Sequence, residues 1–276
     1  MAYSILVSMD KNYLPRLRTM LFSLYLNHPG LSCQVYFLHS SVPRESIDLL
    51  RKDMSKLGFG LTELHMDDKA FQNAPVTDRY PREMYFRLLA AHLLPPELER
   101  VLYLDPDILI INSLDSLWNL NMQGHMFAAA SHNAGDELVT GINQIRLDTN
   151  SEYFNSGVLL MDLHRCRRDI RAEDIFSFVE KHKDTMILPD QDVLNALYGD
   201  AIYPLDDLLW NYDARKYRYN LIRSGGVATG TWVIDHTSVL HFCGSAKPWK
   251  ESYPYRFGIL YRHYMQLERR FFSSNF

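Results

Sequence analysis

The chain has 276 residues, 47% of them hydrophobic, with 29 basic against 33 acidic side chains and a formal net charge of −4. That composition builds one large folded domain, with or without a small appendage, and leaves no basic field of the kind that binds nucleic acid by counterion release. Its three cysteines, Cys33, Cys166 and Cys243, are widely spaced with no CxxC pair, which argues against a disulfide framework or structural zinc and for a reducing, cytoplasmic setting. The amino terminus lacks a basic segment followed by a long apolar run, so no secretion signal is expected, and no apolar stretch reaches the length of a membrane span.

Residues 3–9 form a short apolar run that predicts a buried strand. Leu14, Leu17, Leu21 and Leu24 then repeat at helical spacing until Pro29 and Gly30. Residues 33–38 predict a second strand, and a helix follows from about Pro43, with Ile47, Leu50, Met54 and Leu57 on one face and Gly58 as its cap. Residues 61–66 predict a third strand. Strands alternating with helices in this way indicate a parallel α/β sheet of the nucleotide-binding kind, although no glycine-rich phosphate loop follows the first strand. Residues 68–82 read as a polar surface loop, and a helix over about 83–94 carries Arg87. Residues 127–130 predict a small-residue strand, and residues 131–149 a second long loop suited to act as a lid. A strand over 157–161, an amphipathic segment to about 183 and a helix over 192–198 come next. Residues 206–231 read as loop, 238–242 as a last short strand, and 255–276 alternate aromatic and basic residues.

The most informative interruption lies at residues 101–110, where Asp105-Pro106-Asp107 divides what would otherwise be one buried strand. In extended backbone residues i and i+2 share a face, and Pro106 stiffens the stretch, so the two carboxylates point the same way. Like charges this close repel unless a proton or cation lies between them, which points to a hard divalent metal at a strand end; an exposed acidic turn is the other reading. His241 ends the last apolar run, and behind it Gly244 permits close backbone approach, Lys247 offers a point charge for phosphate and Pro248-Trp249 stiffens the loop. An imidazole with two carboxylates favours Mn²⁺, with Mg²⁺ as the alternative. An ion held by Asp105, Asp107 and His241 beside Lys247 would make a diphosphate site.

Other polar residues carry two readings each. Asp10 and Asn12 either read the edge of a base or cap the next helix. Arg87 either serves the site or pairs with Glu83 one turn earlier. Asn155 and Ser156 stand just before a buried strand, and Asp190 and Gln191 at a helix start, where Asp190 equally serves as a cap. The basic aromatic tail either lies on an anionic membrane surface or forms a helix docked on the core with a solvated basic face.

In order along the chain, Asp10-Lys-Asn-Tyr13, Tyr85-Phe-Arg87, Leu102-Tyr-Leu-Asp-Pro-Asp107, Phe154-Asn-Ser-Gly-Val-Leu-Leu160, Asp190-Gln-Asp192 and His241-Phe-Cys-Gly-Ser-Ala-Lys-Pro-Trp249 resemble glycosyltransferase family 8 over about residues 3–250. The resemblance is greatest to its bacterial lipooligosaccharide galactosyltransferases and lipopolysaccharide glucosyltransferases. It implies a GT-A fold, a nucleotide-binding Rossmann-like mixed α/β sheet flanked by helices, over residues 1–250, with 251–276 as a C-terminal basic aromatic helical tail. It also implies a Mn²⁺-dependent UDP-hexose donor, glucose or galactose, and transfer with retention to a glycan or glycolipid acceptor of lipopolysaccharide type. The enzyme is expected in the cytoplasm, and the membrane reading of its tail would place it peripherally at the inner face of the cell membrane.

Position by position, Asp105, Asp107 and His241 match the family's metal ligands, while Ser8, Asp10, Asn12, Tyr13 and Arg87 match its nucleotide pocket, with Pro106 between the carboxylates. Gly244 and Lys247 match its diphosphate contacts, and Asn155, Ser156, Asp190 and Gln191 fall at the donor sugar and reaction centre. One departure stands out: several members place an aspartate after the strand that here ends at Ala130, where this chain has Ser131-His132-Asn133. The expected mechanism is same-face attack by the acceptor through an oxocarbenium-like state, with Gln191 lending dipole stabilisation and a UDP oxygen taking the acceptor proton. Double displacement would instead require a carboxylate at the anomeric carbon, with Asp190 the nearest candidate. Two competing classes are a haloacid-dehalogenase-type phosphatase, which places its Asp-x-Asp near the chain start, and a sugar-nucleotide sensor that binds without turnover.

Overall fold

The computed structural model describes residues 2–65, 83–132 and 137–273. Within them the strands are β1 (Ala2–Ser8), β2 (Ser32–His39), β3 (Phe59–His65), β4 (Arg100–Leu104), β5 (Ile108–Ile110), β6 (Phe127–Ala130), β7 (Val158–Asp162), β8 (Ile202–Leu205), β9 (Tyr212–Asp213) and β10 (Val239–His241). The helices are α1 (Leu14–Asn27), α2 (Arg44–Lys56), α3 (Glu83–Leu89), α4 (Asp115–Trp118), α5 (Glu137–Leu147), α6 (Leu163–Asp169), α7 (Ala172–His182), α8 (Pro189–Tyr198), α9 (Asp207–Trp210), α10 (Tyr217–Arg223), α11 (Gly230–His236) and α12 (Gly258–Ser273).

Seven strands form the main sheet in the order β3-β2-β1-β4-β7-β6-β8. Strand alternation alone predicts a parallel sheet, but β7 runs antiparallel to both β4 and β6, which makes the sheet mixed. The chain leaves β6 and returns through α5 to the same edge rather than crossing back, so β7 must run in reverse. As a result the carboxyl ends of β1, β4, β6 and β8 and the amino end of β7 share one edge, where open α/β sheets bind ligands. The two-residue period holds: Tyr3, Ile5, Val7, Leu102, Leu104, Val158 and Leu160 pack on one side with Leu17, Leu21, Leu24, Ile47, Leu50 and Met54 of α1 and α2. Leu6, Val101, Tyr103, Leu159 and Met161 face the other side with residues of α3, α6, α7 and α8.

The run at 101–110 does not continue as one strand. β4 belongs to the main sheet and β5 to a second sheet ordered β5-β10-β9. Pro106 has no N–H to donate to a ladder, so the chain turns there and the turn joins the two sheets. The expected extended Asp-Pro-Asp is therefore a turn, and its carboxylates converge for a different reason. The small sheet is pinned to α1, where Ser23 Oγ accepts from the Ile110 N–H at 2.9 Å and Asn27 Nδ2 donates to the Ile110 carbonyl at 3.0 Å.

Two stretches read as loop are structured. Residues 137–147 form α5, and 206–231 contain α9, β9, α10 and the start of α11. α5 carries Leu138, Ile142 and Ile145 at helical spacing, but Gly141 interrupts the run and Ile142 and Ile145 are 56% and 86% exposed, so the isoleucines mark no buried face. α9, α10 and α11 are too short for a period, and α9 and α11 are set by caps, with Asp206 accepting from the Leu208 N–H and Thr229 from the Trp232 N–H. The loop expected over 68–82 lies outside the described residues.

α12 packs against α1. Phe271 and Phe272 lie with ring centres 5.3 and 6.1 Å from that of Phe22, buried Glu268 pairs with Arg18, and the Tyr264 hydroxyl accepts from Asn27 at 3.0 Å. Its outward stripe is Ile259, Arg262, His263, Gln266, Arg269 and Arg270. No helix among the described residues is long and apolar enough to cross a membrane.

Candidate active site

The turn between the sheets brings the two aspartates to His241. The Asp105 N–H donates to the Gly157 carbonyl at 2.8 Å, and the Phe242 N–H donates to the Asp107 carbonyl at 3.0 Å, which fixes both ends of the turn. His241 pairs with Ile108 across β10 and β5. Its Nε2 lies 3.8 Å from Asp105 Oδ2 and 3.3 Å from Asp107 Oδ1. The donor atoms of all three residues fall within 4.8 Å of one another, a mixed oxygen and nitrogen set that fits one divalent cation.

Charge in this cluster is tightly balanced. Burial pushes the Asp105 carboxyl up, and the nearby Arg87 only partly offsets it. Burial acts on Asp107 in the same sense, but His241 and Lys247 prevail and hold its carboxyl well below the usual range. Lys247 Nζ pairs with Asp107 Oδ2 and donates to the Phe242 carbonyl at 3.1 Å. Burial opposes a charged His241, yet Cys243 and Asp107 raise its pKa well above that of a free imidazole. Because burial also pushes the Cys243 thiol up, Asp107 is the anion that counts.

Arg87 sits behind the pair. Its guanidinium reaches Asp105 Oδ1 at 3.4 Å and Asp190 Oδ2 at 3.1 Å, and it donates to the Ser156 carbonyl and hydroxyl at 2.8 and 2.9 Å. It also lies over the Tyr103 ring, whose hydroxyl donates to Asp105 Oδ1 at 2.8 Å. Arg87 thus belongs to the site; the Glu83 side chain lies outside the described residues. Asp190 is not the helix cap, since Leu188 precedes the first turn of α8. The fully buried Asp192 instead orders the approach to the helix, accepting from the Ile187 and Leu188 N–H groups at 2.7 and 3.2 Å and from the Tyr153 hydroxyl at 2.5 Å. Asp190 is left to the site, where its Oδ2 accepts from Ser156 Oγ at 3.2 Å.

Two clefts meet at the carboxylates. One of about 410 Å³ is lined by Ser8, Met9, Asp10, Tyr13 and the Asp105-Pro106-Asp107 turn. The other, of about 380 Å³, includes Asn155, Ser156, Asp190, Gln191, His241 and Gly244. Asp10 caps the 3₁₀ turn, accepting from the Asn12 N–H at 2.7 Å, and lines the first cleft as well. Asn12 itself is exposed. Tyr13 meets Trp249 edge-on at 6.0 Å.

Sequence reasoning missed His132, Gly157, Asn211, Asp213, Arg215 and Lys216. All but Gly157 and Asn211 line the second cleft. His132 Nε2 donates to the Asn211 carbonyl at 2.7 Å; Asn133 lies outside the described residues. The dense polar run Asn211-Tyr-Asp-Ala-Arg-Lys216 was the available signal, and β9 delivers it by pairing Asp213 with His241.

A cluster of side chains able to hold a cation, at the carboxyl edge of a mixed α/β sheet and between two open clefts, fits the GT-A fold. The sequence profile of glycosyl transferase family 8 matches residues 4–252, and the chain belongs to that family. It is 26% identical over 264 residues to General stress protein A of Bacillus subtilis (strain 168), covering 93% of this chain and 90% of that protein. It is 24% identical over 258 residues to the lipopolysaccharide 1,2-glucosyltransferase of Escherichia coli (strain K12), covering 89% and 72%. Among solved structures, the galactosyltransferase LgtC in complex with donor and acceptor sugar analogues superposes with a TM-score of 0.79 at 22% identity, over 96% of this chain and 95% of that one. Streptococcus pneumoniae TIGR4 glycosyltransferase GlyE gives a TM-score of 0.70 at 20% identity, over 99% and 64%. At these identities the structural likeness is one of fold.

Proposed function

We propose that the protein is a Mn²⁺-dependent, retaining glycosyltransferase that moves glucose or galactose from a UDP-sugar to a glycan or glycolipid acceptor. The observation that carries this reading is the convergence of Asp105, Asp107 and His241 where the two clefts meet. A cation bound there would screen the diphosphate charge that develops on the leaving group. Mn²⁺ suits a set containing an imidazole, and Mg²⁺ would substitute less well.

In this reading uridine lies in the cleft beside Ser8, Asp10, Asn12 and Tyr13, with Pro106 as its floor, and Gly244 and Lys247 meet the diphosphate. Arg87 serves the nucleotide indirectly, by holding Asp105. The hexose lies against Asn155, Ser156, Asp190 and Gln191. Asp190 Oδ2 is already engaged by Arg87 at 3.1 Å and by the Ser156 hydroxyl at 3.2 Å, which ties that oxygen down rather than leaving it free to attack. That favours same-face attack by the acceptor hydroxyl over double displacement. Gln191 Oε1 accepts from Asn155 Nδ2 at 3.1 Å, so its carbonyl keeps one lone pair for an oxocarbenium-like state. The acceptor proton leaves on a phosphate oxygen of departing UDP.

The lipopolysaccharide glucosyltransferases among its relatives support a lipopolysaccharide or similar surface glycan as acceptor. The basic outward stripe of α12 supports peripheral contact with an anionic membrane at the cytoplasmic face. The test is UDP release from a panel of UDP-sugars, with and without Mn²⁺, on wild type and Asp105→Ala/Asp107→Ala. Metal-dependent release from one UDP-hexose, lost in the variant, is expected. Release that ignores metal, or none with any donor, would overturn the reading, and an inverted anomeric linkage in the product would overturn retention.

A further inference from the structure

Asn211 follows α9 and is fully buried. Its Oδ1 accepts from His241 Nδ1 at 2.9 Å, and its Nδ2 donates to Asn155 Oδ1 at 2.9 Å. One group that can only donate fixes every direction in this chain of amides. The Gly157 N–H donates to Asn155 Oδ1 at 3.0 Å, which makes that atom the oxygen and leaves Asn155 Nδ2 to donate to Gln191 Oε1. Asn211 must then turn Nδ2 to Asn155 and Oδ1 to His241. His241 consequently carries a proton on Nδ1 and directs Nε2 at Asp105 and Asp107.

We propose that Asn211 is a positioning residue that couples the cation ligand to the reaction centre, touching neither substrate. Its single side-chain amide sets which His241 nitrogen faces the cation and, through Asn155, how the Gln191 amide faces the polar cleft. This rests on the function proposed above. Outer partners of metal-bound histidines fix tautomer and ring orientation, and losing one costs roughly 10- to 100-fold in metal affinity or activity. Gly157 and Asn211 together engage both lone pairs of Asn155 Oδ1, which fixes the orientation of that amide.

Two substitutions separate the two arms. Asn211→Asp keeps an acceptor for His241 and loses the donor to Asn155, whereas Asn211→Leu loses both at similar volume. Mn²⁺ affinity is read by electron paramagnetic resonance with UDP present, and turnover by UDP release. Asn211→Asp should bind Mn²⁺ as wild type does or more tightly, while kcat falls at least about tenfold; Asn211→Leu should lose at least about tenfold in both. Wild-type kcat in the aspartate variant, or wild-type Mn²⁺ affinity in the leucine variant, overturns the proposal. Should neither variant fold, ¹⁵N-histidine spectra of wild type with Cd²⁺ decide the matter: a proton on His241 Nδ1 is expected, and coordination through Nδ1 refutes it. Metal affinity and tautomer are read without turnover, so a wild type that releases no UDP would sink the enzymatic reading and leave this test standing.

Discussion

A Cβ at residue 157 would collide with the His241 ring and lie 2.6 Å from Asp105 Oδ2. Neither neighbour has room to retreat, because His241 is held by Asn211 and Asp105 by Tyr103 and Arg87. Gly157→Ala should therefore lower Mn²⁺ affinity and UDP release by at least about tenfold while the circular dichroism spectrum stays native; wild-type Mn²⁺ binding in the variant would refute this. His241 gives a second prediction. Its pKa is raised, and a cation needs the neutral imidazole, so proton and metal compete. Mn²⁺ affinity should rise with pH, by up to about tenfold per unit below the raised pKa, and level off above it. A flat profile from pH 6 to 9 would count against His241 as a ligand. The Asp-Pro-Asp pair and His241 were legible because charge in an apolar run has few bland explanations. The need for an empty volume at Gly157 was not, since sequence spacing does not say which atoms face each other across β4 and β7.

At the scale of elements, α5 shows why some of the chain stayed illegible. It is tied down by charge: Arg146 donates to both oxygens of Asp192 at 2.7 and 2.8 Å, and Asp192 in turn accepts from the Ile187 N–H just ahead of α8. A long-range ion pair leaves no periodic trace, so the segment reads as loop, whereas β1, α1 and β2 advertise themselves through burial at periods of two and about 3.6. The same pair positions Asp190 and Gln191, which stand on the first turn of α8. Arg146→Ala leaves a carboxylate of 0% exposure without its counterion, a change that costs about 3 kcal/mol in comparable buried pairs. Chemical denaturation should show that loss, with turnover reduced as well. Adding Asp192→Asn should restore part of the stability, because the uncompensated charge is gone; additive losses in the double variant would show that the two side chains act independently.

For the molecule as a whole, charge is distributed against its average. The formal net charge is −4, yet α12 turns Arg262, His263, Arg269 and Arg270 outward along one stripe, with Ile259 at its start. The opposite side of α12 is committed to the core: Leu267, Phe271 and Phe272 pack with α1, and Tyr261 is fully buried in the cluster around the small sheet. The helix therefore cannot leave the core to insert into a bilayer without exposing that surface, and any membrane contact has to be made by the stripe as it stands. Each basic residue near an anionic surface contributes about 1 kcal/mol, so Arg262→Glu/Arg269→Glu should lower binding to vesicles rich in phosphatidylglycerol at least about tenfold. Binding should weaken with salt in wild type, as expected of a screened attraction. UDP release from a soluble donor should be unchanged, because neither residue lines a cleft at the cation cluster. If wild type ignores anionic vesicles at low salt, the stripe is a solvated face only, and the acceptor must reach the clefts without help from the membrane surface.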